Sequence, residues 1–204
     1  MRLFTGVDLP DDVREKLERL LMQLRACAHL KWSPVYNLHV TLKFIGEWPE
    51  EKLPQLEEAL RAVTPRQPIP AEVKGLGWFP NPHHPRVFWV GVHGGAGLAA
   101  LVKDIEAAIA PLGIAAEERV FNAHLTLARI KEPAPLQALR SAIAALESVE
   151  FGAFDVSRFY LYRSQPGPAG SIYTKLSEYP FQAHSQVASQ VPDQVPAKAP
   201  AKVQ

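Results

Sequence analysis

Only one cysteine, Cys27, stands among the 204 residues. One thiol cannot close an intramolecular disulfide or furnish a cysteine-based zinc site, so both frameworks are excluded. Cys27 follows Leu20, Leu21 and Leu24 at helical spacing, which makes it a small packing residue rather than a nucleophile. Long hydrophobic runs are also missing, and nothing approaches the roughly 20 apolar residues of a membrane-spanning helix. The opening MRLFTGVDLPDD turns charged before a signal-peptide core can develop, so a cytoplasmic location is expected, with no membrane partner. Neither sign of charge is in excess: 22 Lys and Arg face 21 Asp and Glu, for a net charge of +1. A broad basic face for an extended duplex is thereby excluded. A few well-placed cations for a small anion, or for one end of a nucleic acid, are not. The 47% hydrophobic and 21% charged content suits one generous globular domain or two small lobes sharing a core.

Apolar periodicity divides the chain into alternating strands and amphipathic helices. Strands are predicted over 2–8, 37–46, 69–78, 86–92, 119–130, 151–163 and 171–177, the last two closing as a pair. Helices are predicted from about Pro10 to Ala28, Glu51 to Val63, Ala96 to Leu112 and Ala134 to Leu146. Pro10 followed by Asp11 and Asp12 starts the first helix well, because Pro suits the first turn and acids suit the positive end of the dipole. Strands outnumber helices and most neighbours can pair antiparallel, so the class is α+β. One domain is expected over residues 1–183. The tail from His184 to Gln204 loses its aromatics and gains Pro, Ala and Gln, a composition expected to remain disordered.

The most informative feature is an internal repeat. Residues 36–47 read YNLHVTLKFIGE and residues 121–132 read FNAHLTLARIKE, identical at six of twelve positions. Each copy carries His-x-Thr-Leu, at His39 and Thr41 and at His124 and Thr126. Two pseudo-symmetric lobes are expected, each a mainly antiparallel sheet with helices on its outer face, around a central cleft. Strand alternation puts His39, Thr41 and Lys43 on one face and Val40, Leu42 and Phe44 on the other. The same rule groups His124, Thr126 and Ala128 opposite Leu125 and Leu127. Across a pseudo-twofold axis the polar faces would bring two imidazoles and two hydroxyls together.

That constellation suits in-line chemistry at phosphorus. Opening a 2′,3′-cyclic phosphate needs a base for water on one side and an acid for the leaving ribose oxygen on the other. Two facing histidines meet both needs near neutral pH, and hydroxyls one pleat away are placed to hold the phosphoryl oxygens. The strained ring lowers the barrier, so no metal or other cofactor is required.

The paired motifs HVTLKF and HLTLAR resemble those of the two-histidine phosphoesterases, and particularly the bacterial and archaeal RNA 2′,3′-cyclic phosphodiesterases, long called 2′-5′ RNA ligases. The opening RLFTGVDLP and the late FYLYRS…GSIYTKL hairpin are similar to that family in type and order, over about residues 1–182. The resemblance implies hydrolysis of a cyclic RNA end to a 2′-phosphomonoester, with His39 as proton donor and His124 as the base. The symmetry of the repeat does not itself assign those two roles. Thr41 and Thr126 would hold the phosphate. Arg129 matches the arginine that often closes the second motif, yet strict alternation points it away from His124, so a role there requires a strand end or a bulge. Pro166 stands where an aliphatic residue is commoner, which puts that loop's substrate contacts in question.

Plainer roles compete at several positions. Metal binding by the two histidines lacks a third ligand and a nearby carboxylate. His83 and His84 lie between prolines in a turn, and His29, His93 and His184 have no supporting context. GVHGGAG at 91–97 lacks the P-loop Lys-Ser/Thr and the spaced Rossmann glycines, and reads as a hinge rather than a phosphate loop. Tyr36, Phe44, Trp32, Trp48 and Phe121 are candidates to stack a terminal base, although core packing competes at each and alternation buries Phe44. Lys43, Arg158 and Arg163 are candidate phosphate contacts against a default of solvated charge. RNA 3′ ends lead as substrate. A small cyclic nucleotide, such as an ADP-ribose cyclic phosphate, or a 2′-5′-linked oligomer is the alternative enzyme reading. A binding module without turnover is the alternative from another class, and the reverse, ligase direction would use the same groups. A monomer is expected, since the duplication already supplies a symmetric pair.

Overall fold

The computed structural model describes residues 1–64, 66–167 and 170–182; the expected disordered tail lies outside them. The element order is β1 (Arg2–Val7), α1 (Asp11–Arg25), β2 (Lys31–Trp32), β3 (Val40–Glu47), α2 (Leu53–Arg61), β4 (Ile69–Phe79) and β5 (Val87–His93). It continues with α3 (Gly95–Ile109), β6 (His124–Arg129), α4 (Gln137–Ala144), β7 (Glu150–Val156), β8 (Arg158–Gly167) and β9 (Gly170–Pro180). The class is α+β, as the alternation of patterns predicts.

Two sheets carry the strands in the orders β3-β1-β8-β9 and β2-β6-β5-β4-β7, and every ladder is antiparallel. Apart from the short edge strand β2, the orders correspond: each His-x-Thr strand has one central neighbour, β1 or β5, followed by two more strands. The helices interlock the sheets. Helix α1 packs against β7 and α4, while α2 and α3 pack on each other and reach β9 and β3. The helix that follows β1 in sequence thus covers the opposite sheet, and one continuous apolar cluster joins both halves.

Local chemistry accounts for α1. Pro10 precedes it, Asp11 and Asp12 occupy its first turn and Arg25 its last, each sign matching the dipole. Val13, Leu17, Leu20, Leu21 and Leu24 form its buried stripe, each worth about 1.5–3 kcal/mol when removed from water. Cys27, two residues past its end, is partly buried against the core.

Three boundaries differ from expectation. The predicted strand 151–163 is two strands: β7 pairs with β4, whereas β8, after Ser157, pairs with β1 and β9. The buried face steps from Val156 to Phe159 across the switch, three residues instead of two, while aromatic residues continue through both halves and give the segment the look of one strand. The histidine strands begin later than predicted, because Val35–Asn37 form a 3₁₀ turn and 119–123 are irregular. Strand β2 is only two residues long, too short for periodicity to register.

Candidate active site

The two histidine strands share a break in register. On β3, Gly6 pairs with Thr41 and Thr5 with Lys43, so Leu42 is skipped. On β6, Trp89 pairs with Thr126 and Phe88 with Ala128, so Leu127 is skipped. Leu42 and Leu127 are equivalent in the repeat, and each is a bulge that reverses the alternation beyond it. The consequences contradict strict alternation in both copies. Lys43 turns inward, where its Nζ donates to Glu106 Oε1 and to the Ala115 carbonyl, both at 2.7 Å. It is an internal ion pair rather than a phosphate contact. Phe44, expected in the core, is 58% exposed and lies on the histidine face, 6.1 Å from Phe4. In the second copy Ala128 is fully buried and Arg129 is the exposed residue. Phe44 and Arg129 are therefore equivalent positions aimed into the cleft, and the bulge that Arg129 requires is present.

Each imidazole is held in the same way. His39 Nδ1 lies 2.8 Å from the carbonyl oxygen of Asn37, and His124 Nδ1 lies 2.8 Å from that of Asn122. A carbonyl only accepts, so Nδ1 carries the proton in both rings and Nε2 is the atom left for chemistry. Both side chains are partly buried. His39 Nε2 additionally lies 3.1 Å from Thr41 Oγ1. Thr126, partly buried, occupies the matching place beside His124.

Strands β3 and β6 approach one another where the sheets meet, and the imidazoles feel each other's surroundings. Burial is the main influence on both and lowers both pKa values, because a charged imidazole loses hydration. Arg129 pushes both further down, and His124 does the same to His39. The Asn37 and Asn122 carbonyls oppose the shift, and for His39 so does Asp8. One guanidinium thus acts on two histidines about 85 residues apart in sequence, while one carboxylate acts on the first alone.

Several residues that periodicity does not flag frame these rings. Phe4 lies 4.7 Å and Tyr173 5.0 Å from His39, centroid to centroid, with Tyr162 at 5.8 Å. Phe79 lies 5.0 Å and Trp89 6.4 Å from His124. Tyr162 stacks on Phe4 and donates its hydroxyl to Asp8 Oδ1 at 2.7 Å, while Lys175 forms an ion pair with Asp8. Asp8 directly follows β1 in the RLFTGVDLP segment, and its only signal in the sequence is membership of that segment.

The remaining candidates separate cleanly. Tyr36 is 75% exposed just ahead of His39. Trp32 packs edge-on against Phe88, Trp48 is buried and Phe121 packs on the core. Arg158 pairs with Glu178. The backbone amides of His83 and His84 both donate to Asn81 Oδ1, closing a surface turn. His29 and His93 are exposed. The glycine-rich segment ends β5 and opens α3, and a Cβ at Gly97 would lie 2.6 Å from Ile69, so a close helix–strand contact occupies the expected hinge. Among the described residues no three His, Cys, Asp or Glu side chains gather as a metal site. No described helix is long and apolar enough to cross a membrane.

Comparison with known proteins places this architecture. A family model described as LigT like Phosphoesterase matches twice in tandem, over residues 7–89 and 91–173. Each match holds one His-x-Thr-Leu. A curated protein named RNA 2′,3′-cyclic phosphodiesterase from Archaeoglobus fulgidus is 39% identical over 176 residues, covering 86% of this chain and 98% of the relative. A protein of the same name from Methanocaldococcus jannaschii is 34% identical, covering 88% of this chain and 100% of the relative. Among solved structures, TT0787 of Thermus thermophilus superposes with a TM-score of 0.77 at 33% identity, covering 90% of this chain and 100% of that one. E. coli LigT complexed with 3′-AMP shares the fold, with a TM-score of 0.69 at 24% identity, covering 88% and 97%.

Proposed function

The chain belongs to the LigT-like phosphoesterase family, and from that premise we propose that it hydrolyses 2′,3′-cyclic phosphodiester ends of RNA to 2′-phosphomonoesters, without a metal, by acid–base catalysis between His39 and His124. The observation that carries this reading is the matched anchoring of the two rings. Each Nδ1 is committed to a backbone carbonyl at 2.8 Å, so each Nε2 remains for a proton in transit. The names of the relatives at 39% and 34% identity support the substrate class.

In the proposed reaction His124 Nε2 takes a proton from water as its oxygen attacks phosphorus. The bond from phosphorus to the ribose 3′ oxygen breaks, and His39 Nε2 delivers its proton to that oxygen. The phosphate stays on the 2′ oxygen, and the histidines finish with their protonation states exchanged. Thr41, Thr126 and Arg129 hold the nonbridging oxygens, where negative charge accumulates. Asp8 gives the split of roles a physical basis beyond resemblance: it favours the charged form of His39 and not of His124, as a donor and an acceptor respectively require. A single chain carries both groups, so the working unit is the monomer.

The test is incubation of the purified protein with a short RNA bearing a 2′,3′-cyclic end, with and without EDTA, followed by identification of the product isomer. A 2′-phosphate formed at the same rate in chelator is expected. A 3′-phosphate product, or loss of turnover in EDTA, overturns the mechanism.

A further inference from the structure

Beside the histidine cleft a second groove opens between β1, β2 and the β8–β9 hairpin, with a volume of about 640 Å3. Its walls include Arg2, Lys31 and Arg163, with Ser164, Gln165 and Ser171 between them. Among the described residues none of these three cations has a carboxylate partner. Glu47, the one acid on this wall, is engaged by the Met1 amine at 3.7 Å. Arg2 and Lys31 are exposed like charges beside one groove, and an anion resting between them relieves their repulsion.

Strand register places the groove next to the histidine site. Lys31 and Arg129 are register partners across β2 and β6, so their side chains leave the same face. Arg129 acts electrostatically on both histidines. Beyond Lys31 comes the hairpin: a Cβ at Gly170 would lie 3.8 Å from Lys31 Cε. Asn37 Nδ2 donates to the Ser171 carbonyl at 2.9 Å, tying the hairpin to the turn that anchors His39. Across β1 and β8, Arg2 pairs with Ser164 and Phe4 with Tyr162, so Arg2 leaves on the face of the His39 ring, whereas Arg163 pairs with Leu3 and leaves on the other. Arg129, Lys31 and then Arg2 thus form a cationic path leading away from the reacting phosphate.

We infer that this groove binds the backbone phosphates on the 5′ side of the cyclic end, making an oligonucleotide terminus the preferred substrate over a cyclic mononucleotide. The inference rests on the phosphodiesterase reading. A 3′-terminal cyclic phosphate has its chain on one side only, so successive phosphates must leave the site in one direction. Guanidinium groups grip phosphates through paired N–H donors, and Ser and Gln suit phosphate and sugar oxygens. A small nucleotide with a 5′-polyphosphate shares this chemistry, and the experiment separates the two.

The variant Lys31→Gln/Arg2→Gln, checked for folding by circular dichroism, is compared with wild type on three probes. These are a five-residue RNA with a 2′,3′-cyclic end, a 2′,3′-cyclic mononucleotide, and the same mononucleotide carrying a 5′-diphosphate. On the RNA, kcat/KM is expected to fall tenfold or more while both mononucleotides are unaffected. In parallel, fluorescence anisotropy follows binding of an RNA ending in a 2′-phosphate against salt. Neutralising two cations should reduce the slope of log K on log[salt] by about 1.4, at about 0.7 per phosphate contact on a single strand. An unchanged RNA rate and slope, equal losses on all three probes, or a loss on the diphosphate matching that on RNA each overturns the inference. Wild-type protein that binds RNA with the steeper slope but hydrolyses no probe keeps the groove and removes the phosphodiesterase reading.

Discussion

The two His-x-Thr-Leu strands are the same device placed in two different environments. In both, Nδ1 is tied to the carbonyl two residues back, and a bulge at the motif leucine turns the following side chains over. Around the first ring stand Phe4, Tyr162 and Tyr173, with Asp8 close enough to favour its charged form. Around the second stand Phe79 and Trp89, and the bulge delivers Arg129, where the first copy delivers Phe44. The inward position after the bulge differs too: Ala128 simply fills space, whereas Lys43 reaches α3 to pair with Glu106. Duplication supplies two equally anchored imidazoles, and divergence of their neighbours gives them different electrostatic surroundings, the difference on which the proposed division into acid and base rests.

The comparison breaks most visibly at the rings themselves. His39→Ala and His124→Ala should each lower kcat by roughly 10³-fold, with far-ultraviolet circular dichroism unchanged. Turnover surviving either change would remove the shared mechanism. The next largest effect separates the inward positions. Lys43→Met removes the buried ammonium's bonds to partly buried Glu106 and to the Ala115 carbonyl while Glu106 keeps the Glu117 amide, so it should cost about 1–3 kcal/mol of unfolding free energy. Ala128→Gly, which removes only one methyl, should cost far less in the same urea titration. Thr41→Ala and Thr126→Ala should each reduce kcat by about 10²-fold as oxygen donors are lost. A similar loss at both would show that the bond between Thr41 and His39 is not what matters.

The smallest effects are the most discriminating, and they lie in pH dependence. Both histidines have folded pKa values below the ordinary 6.5. In the proposed mechanism the active form pairs a charged His39 with a neutral His124, so the bell-shaped kcat/KM profile should peak below pH 6.5. Removing a group that lowers a pKa raises it, so Arg129→Gln should move both limbs toward alkaline pH. Removing a group that raises a pKa lowers it, so Asp8→Asn should shift the His39 limb alone toward acid, with a few-fold loss at neutral pH. Stability follows the same sign. The folded protein resists charging these rings, so their stabilisation is complete above the unfolded pKa and is lost as pH falls through the folded values. His124→Asn should therefore flatten the acid-side decline in urea midpoint below pH 6.5.

Much of this protein is legible from its residues. The apolar stripe of α1, the Pro-Asp-Asp start and the twelve-residue repeat all rest on local chemistry that a one-dimensional pattern records. The failures are equally specific. Alternation puts Lys43, Phe44 and Ala128 on the wrong faces because it assumes an unbroken ladder, and whether a ladder is broken depends on the strand alongside. The 151–163 segment reads as one strand because aromatic and aliphatic residues run through both halves, while the change of sheet at Ser157 is set by strand partners elsewhere in the chain. Asp8 gives no signal of its own because its relation to His39 and Tyr162 crosses long stretches of chain.

The sequence by itself determined that two equivalent histidines, each with a threonine one pleat away, would be offered by paired α+β lobes. Covalent spacing and side-chain polarity are local properties, and folding preserves them. Only the tertiary structure decided that Leu42 and Leu127 bulge, that Arg129 therefore joins the cleft while Lys43 leaves it, and that Asp8 stands by one ring alone. Those outcomes depend on register with a neighbouring strand and on electrostatic fields between residues far apart in the chain, which exist only once the two sheets have come together.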